Sequence, residues 1–284
     1  MGAYEVSLLT LVGINLLLAL SLNLISGFCG QISLGHAAFF GAGAYAAAMV
    51  VKADAGLAAA FAAAIATAAV LGLVVGLASL RVRHDFLAIT TMGVGFLFIG
   101  VVRQQEWLGG ELGISQIPVH GLGDAGFLAL VLGSAALLTG FSLYLKRSWM
   151  GFAFDAIADD EDTARTLGLD VAAYKLIAFA IGTGFAGLAG AYYALYARII
   201  VPDAFGFTVS VSILAMVVVG GIGSTLGVVI AAAALTLMPE LFRFVNDYKL
   251  LLYGGLLLVT MRFSPGGLAG LVALAQDHRR RSRT

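Results

Sequence analysis

The chain alternates between long apolar runs and short polar breaks. A first run extends from about Val6 to Ile25 and opens into Gly27-Phe28-Cys29-Gly30-Gln31-Ile32-Ser33-Leu34-Gly35-His36, a glycine-punctuated polar stretch. A second run, Ala37 to Val51, closes at Lys52 and Asp54. The third, Gly56 to Leu80, ends at Arg81, Arg83 and His84, and the fourth covers Phe86 to Val102. A polar loop from Arg103 to Asp124 precedes a fifth run, Ala125 to Leu145, and the longest hydrophilic segment, Lys146 to Asp170, follows it. The sixth run is Ala172 to Tyr196. Residues Val209 to Met238 are too long for one simple crossing and are interrupted by Gly220-Gly221-Ile222-Gly223-Ser224, so they read as two shorter segments. The last run, Leu250 to about Met261, extends through Gly266-Gly267 towards Val272, ahead of the tail Arg279-Arg280-Arg281-Ser282-Arg283. The pattern predicts nine apolar segments.

Runs of about 20 apolar residues are what a helix needs to cross the hydrocarbon of a bilayer. Backbone groups in lipid must pair internally, which favours helices over open strands. A β-barrel would show alternating stretches of about ten residues, and these runs do not alternate. The expected fold is therefore all-α, a polytopic transmembrane bundle formed by residues 1–284 as a single domain, with a broken or re-entrant segment near residue 30. Composition agrees. Of 284 residues 61% are hydrophobic and 11% charged, against about 25% charged in soluble domains. The formal net charge is zero, so nothing points to nucleic acid. The single cysteine, Cys29, excludes an internal disulfide and a multi-cysteine metal site. The first six residues lack the basic region of a cleavable signal peptide, so the first run is expected to be retained as a span.

Lysine and arginine in short loops set orientation. The Arg81/Arg83 loop, the Lys146/Arg147 loop and the arginine tail are expected in the cytoplasm, and the N-terminus outside. These assignments agree only if Val209–Met238 crosses twice or makes a hairpin.

Several chemistries are missing from the sequence. No glycine precedes Lys52, Lys146, Lys175 or Lys249, so there is no Gly-Lys-Ser/Thr phosphate loop. Histidines 36, 84, 120 and 278 are far apart, and there is no nucleophile elbow. No span carries an acidic residue at mid-depth, which argues against an ion-coupled carrier. No catalytic residue and no metal site are expected. In the 27–36 stretch, Gly27, Gly30 and Gly35 permit a broken helix, while Gln31, Ser33 and His36 offer polar groups to a pathway; an ordinary surface loop is the alternative. Asn15, Asn23, Thr90 and Thr91 read as helix–helix hydrogen bonders or pore-lining groups, and Arg103 and Arg198 as snorkelling side chains at span ends. Gly41-Ala42-Gly43-Ala44 and Gly182 through Gly190 read as close helix contacts.

The hydrophilic segment has a helix-favouring core from Asp155 to Gly168. Ala156, Ile157, Ala164 and Leu167 can share part of one face, and Gly168 suits a C-cap. Such a helix, within residues 146–172, could dock into a partner or serve as a solvated connector.

The stretch Leu20-Ser-Leu-Asn23-Leu-Ile-Ser-Gly27-Phe-Cys-Gly30-Gln31-Ile-Ser33-Leu-Gly35-His36, continuing to Phe39, Gly43 and Tyr45, closely resembles the signature of branched-chain amino-acid ABC transporter permeases. Leu108-Gly109-Gly110-Glu-Leu-Gly113, Thr163 to Phe179, Pro202-Asp203-Ala-Phe205, Val218 to Ser224 and Phe263-Ser264-Pro265-Gly266-Gly267-Leu268 are similar to that family in the same order. The Tyr174-Lys175-Leu block and the final motif look more like the LivM-type subunit than its LivH-type partner. The resemblance implies an importer in the bacterial inner membrane, built from two different permeases, two ATPase subunits that bind ATP and Mg, and a periplasmic substrate-binding protein. This chain would bind no cofactor of its own. Its substrate would be a branched-chain amino acid (leucine, isoleucine or valine), with urea, short amides or another small polar solute as the alternative, and a stand-alone carrier as a further rival.

On this reading Gln31, Ser33, His36 and Asn23 border the substrate pathway. Asp155, Ile157, Asp159, Asp160, Glu161, Arg165, Leu167 and Gly168 belong to the coupling helix that meets the ATPase. One departure stands out: the family usually carries basic residues where this chain has Phe152, Asp155 and Ala158. The acidic run Asp159–Asp162 suits the start of a helix and implies a basic cleft on the ATPase.

Overall fold

The computed structural model describes residues 2–80, 84–118, 121–241, 249–264 and 266–270. Arg81, Arg83, His120, Pro265, His278 and the arginine tail lie outside the described residues. Eleven α-helices occur among those described: α1 Ala3–Leu22, α2 His36–Lys52, α3 Leu57–Ser79, α4 His84–Gln104, α5 Gly123–Arg147, α6 Trp149–Asp159, α7 Glu161–Thr166, α8 Val171–Ala197, α9 Phe207–Gly220, α10 Thr225–Leu241 and α11 Lys249–Phe263. A π-helical turn, Asn23–Phe28, continues α1, and short 3-10 turns occupy Glu106–Leu108, Gly110–Leu112 and Pro202–Phe205. Apart from one isolated bridge, Ile114 to Ile200, the described residues contain no β-structure.

Among the described residues, six segments are long and apolar enough to cross a membrane: Ala3–Phe28, Leu57–Ala78, Phe86–Gln104, Gly123–Arg147, Val171–Ala197 and Pro202–Gly220. The chain is a multi-pass helical membrane protein. Helices α2, α10 and α11 are also apolar but have 17, 17 and 15 residues, which brings the apolar helices among the described residues to the expected nine. Each boundary falls within about three residues of the hydropathy break. The long polar segment is the exception, since it forms two helices rather than one.

Two opposite ends organise the bundle. Tyr4 Oη donates to Glu240 at 2.8 Å, and Asn15 Nδ2 to Thr236 Oγ1 at 3.1 Å, while Asn23 Oδ1 accepts from Gly223 N at 3.0 Å. Helices α1 and α10 therefore run antiparallel along their whole length. Residues Val209–Met238 form a helical hairpin: α9 descends to the Gly221–Ser224 turn and α10 returns to the Tyr4 end. Lys146 Nζ donates to Gly223 O, so the end of α5 sits at that same turn. Arg103 is paired with Asp203 at 2.6 Å near the Tyr4 end.

The tightest packing joins α2, α3 and α8. A Cβ on Gly43 would collide with the backbone of Gly187, and one on Gly190 would meet Ala44 N at 2.6 Å. Lipid supplies no hydrophobic drive between helices, so close backbone approach is what dispersion contacts reward. Both glycine clusters thus act as the expected helix contacts. Phe205, fully buried, fills the space beside them and packs edge-on against Phe40 and Tyr193.

Candidate functional site

The break between α1 and α2 lies inside the protein rather than at its surface. Helix α2 has 17 residues against 23 in α3, a difference of about 9 Å of helical rise at about 1.5 Å per residue. Its first residue, His36, is fully buried. A buried helix start exposes backbone donors that need partners. Ser210 Oγ accepts from Ala37 N at 3.0 Å, and Thr91 Oγ1 accepts from Leu34 N at 3.0 Å. Thr91 lies within α4 and Ser210 in the first turn of α9, so three helices converge on the break.

All four pathway candidates are buried: Asn23, Gln31, Ser33 and His36. Gln31 Nε2 donates to the Lys175 carbonyl at 3.2 Å, and its own carbonyl accepts from Ser26 Oγ at 2.9 Å. His36 Nε2 is 2.7 Å from Ser21 Oγ. Asn23 binds the Gly223 backbone, while Asn23 Nδ2, Ser33 Oγ and His36 Nδ1 have no hydrogen-bond partner among the described residues. Side chains alternate along the irregular stretch, so Gln31 and Ser33 point inward and Ile32 is half exposed. Asn23, Gln31 and His36 thus bond within the protein, and all four side chains are buried at the break.

Helices α6 and α7 lie across this end of the bundle. Ser148 caps α6 by accepting from Gly151 N at 3.3 Å. Phe154 and Ile157 are buried against the bundle, while Trp149 and Phe152 are exposed. Gly30, at φ +70°, lies so close to α6 that a Cβ there would stand 3.1 Å from Ala158 Cα. Only glycine adopts this backbone at low cost and leaves that room.

The polar segment divides at Asp160, whose extended backbone (φ −159°) ends α6 and whose Oδ1 accepts from Thr163 N at 2.9 Å to begin α7. An aspartate at this position competes for backbone donors and so favours a cap over a helix interior. The expected single helix is thereby corrected. Ile157 and Ala164 face the bundle from two different helices, and Leu167 is exposed rather than sharing their face. Gly168 closes the C-terminal end of α7 as the sequence implied, one residue past the cap residue Leu167. Its φ is +87°, its N–H reaches Arg165 O, and Leu169 N reaches Ala164 O, a Schellman motif.

Charge distribution follows from these caps. The Thr163 backbone N–H holds the Asp160 carboxyl below its ordinary value. Partial burial raises the Asp155 carboxyl, Lys146 pulls it down and Asp159 pushes it up. Asp155, Asp159, Asp160 and Arg165 are all exposed. Glu161, by contrast, turns inward to pair with Lys175 of α8, and Arg165 lies 4.0 Å from its second oxygen.

Two links thus join α6–α7 to the break: Glu161 to Lys175, whose carbonyl holds Gln31, and Ala158 against Gly30. At the end of α5, Lys146 bonds the Gly223 turn, with its ammonium 5.4 Å from the Phe28 ring centroid. Lys146, Lys175, Ser21 and Ser210 were not legible as site residues, because their partners lie far away in sequence. Among the described residues no cluster of His, Cys, Asp or Glu could hold a metal ion.

Comparison with known proteins gives this geometry a family. The model of the branched-chain amino acid transport system permease component matches residues 5–261. The high-affinity branched-chain amino acid transport system permease protein LivM of Escherichia coli K12 is 36% identical over 301 residues, covering 94% of this chain and 70% of the relative. LivM of Salmonella typhimurium is 35% identical with the same coverage. LivH of Escherichia coli K12 is 24% identical over 89% of this chain and 90% of its own length. No solved structure matches the chain. The chain belongs to the branched-chain amino acid transport permease family and is more similar to its LivM members than to LivH.

Proposed function

We propose that this chain is the LivM-like permease subunit of an ATP-driven importer for branched-chain amino acids. It works with a second, LivH-like permease, two ATPase subunits that bind ATP and Mg, and a periplasmic binding protein. The observation that carries the reading is the likeness to LivM along 94% of the chain, which includes the α6–α7 segment. The Lys146 end, with Lys146 and Arg147, faces the cytoplasm, and the N-terminus lies outside.

In this mechanism the chain does no bond chemistry. ATP binding closes the ATPases, which carry α6–α7 with them through Trp149, Phe152, Leu167 and the exposed acids Asp155, Asp159, Asp160 and Asp162. Arg165 and Gly168 shape the α7 end of the docking segment, and Ile157 anchors α6 to the bundle. Motion then passes through Glu161–Lys175 and Ala158–Gly30 to the α1–α2 break, and through Lys146 at the end of α5 to the Gly223 turn. ATP shifts the population because it binds one arrangement of the ATPases more tightly than the other. Asn23, Gln31, Ser33 and His36 line the pathway only when the break opens, and their polar groups without partners are satisfied in that state.

The test is purification of the native complex followed by an ATPase assay with loaded binding protein. A complex of two ATPases and a second permease, stimulated by leucine-loaded binding protein, is the expected result. A chain that purifies alone and moves solute without ATP would overturn the proposal. Charge reversal at Asp159–Asp162 should weaken assembly, and unchanged assembly would remove the basic cleft on the ATPase from the scheme.

A further inference from the structure

We infer that a cavity within this one subunit holds a branched aliphatic α-amino acid on its way across, an inference that rests on the importer reading above. The cavity has a volume of about 300 Å³ and is bounded by α1, α9, α10 and α11, with Phe40 of α2 and Tyr193 of α8 completing its wall. That is the lower end of the range for small-molecule sites, which are largely apolar with a few convergent polar groups. Asn15 lies 12 residues into α1, about 18 Å of helical rise, so the cavity reaches well into the bundle.

Its lining sorts by chemistry. Leu18, Val209, Ile213 and Met216 form an aliphatic wall, while Asn15, Ser212, Thr236 and Glu240 supply the polar groups. Thr236 and Glu240, one turn apart on α10, share a side. Glu240 is the one acid among the described residues of the lining. It accepts one bond from Tyr4, and a carboxylate has about four acceptor sites, so it can also take an ammonium group in a charge-assisted bond. Asn15 gives one amide hydrogen to Thr236, and its second amide hydrogen suits a carboxylate.

An ammonium, a carboxylate and a branched side chain together match the three parts of the lining. The groove between α2, α3 and α4, about 410 Å³, lacks this set: its lining has no charged residue and is almost wholly apolar.

Two substitutions in the reconstituted complex test the assignment, with turnover driven by saturating leucine- or valine-loaded binding protein. Val209→Phe fills the aliphatic end and should cut the leucine-to-valine turnover ratio by about tenfold, the size of discrimination one methylene supports. Glu240→Gln should weaken equilibrium binding of radiolabelled leucine to the complex, measured without binding protein, by tenfold or more. A merely structural role would slow both substrates equally and leave the ratio unchanged, and that result overturns the assignment. Unchanged binding in Glu240→Gln overturns it too, while the importer reading stands as long as leucine is still imported. If the unsubstituted complex imports no amino acid, both readings fall together.

Discussion

Glu161→Gln removes the carboxylate through which α7 holds Lys175 of α8. The two side chains are 23% and 13% exposed, so the pair lies between two regimes. Breaking one side of a fully buried pair costs about 3–5 kcal/mol, whereas an exposed pair contributes about 0–1 kcal/mol. Coverage of this extent places the single substitutions Glu161→Gln and Lys175→Met at about 1.5–3 kcal/mol each. Arg165, mostly exposed and 4.0 Å away, compensates little. The double variant should be less destabilised than the sum by about 1 kcal/mol or more, because neither charge is left alone. Equilibrium unfolding in mixed micelles reads these energies, and transport per ATP in proteoliposomes reads coupling. Each single variant should hydrolyse ATP yet move less solute per ATP, and the swapped pair Glu161→Lys/Lys175→Glu should recover part of the loss. Strictly additive energies together with unchanged solute per ATP would refute this link between α7 and α8.

Gly190→Val forces a branched side chain against the α2 backbone at Phe40 and Ala44; backbone cannot rotate away, so a loss of about 3 kcal/mol or more is expected, read as a shortened thermal half-life in detergent. Asn23→Leu strands the buried Gly223 N–H at a cost of about 1–3 kcal/mol, measurable by the same unfolding assay. The Asp160 carboxyl is held below its ordinary value by the Thr163 N–H, so its capping contribution is complete above about pH 3.9 and is lost as pH falls through the lowered folded value. Protection of the Thr163 amide, relative to its intrinsic exchange rate, should therefore drop only in that acid window and show no such drop in Asp160→Asn; a drop at neutral pH would contradict the assigned cap.

Helix positions were readable because hydropathy runs dictate them: α3, α5 and α8 each end within three residues of the sequence boundary. The break near residue 30 was readable from Gly27, Gly30 and Gly35, and the Gly168 cap from its place after a helix-favouring run. The direction of side chains within the break was not. Gln31 turns inward because the Lys175 carbonyl accepts its side-chain amide there, and that partner is fixed by tertiary packing. Similarly, Asp159–Asp162 read as one acidic helix start, yet the local capping bond from Asp160 to Thr163 won over helix continuation and turned Leu167 outward. Lys146 gave no sign of its role because its acceptor, Gly223, is contributed by a turn that only the α9–α10 hairpin brings near.

Uptake of radiolabelled leucine into proteoliposomes, with this chain, its LivH-like partner and the ATPases reconstituted together, is the most direct test. Uptake that requires ATP at the α6–α7 face and leucine-loaded binding protein at the other, and that vanishes when this chain is omitted, is the predicted result. Equal uptake without ATP, or by this chain alone, would contradict an ATP-coupled permease subunit.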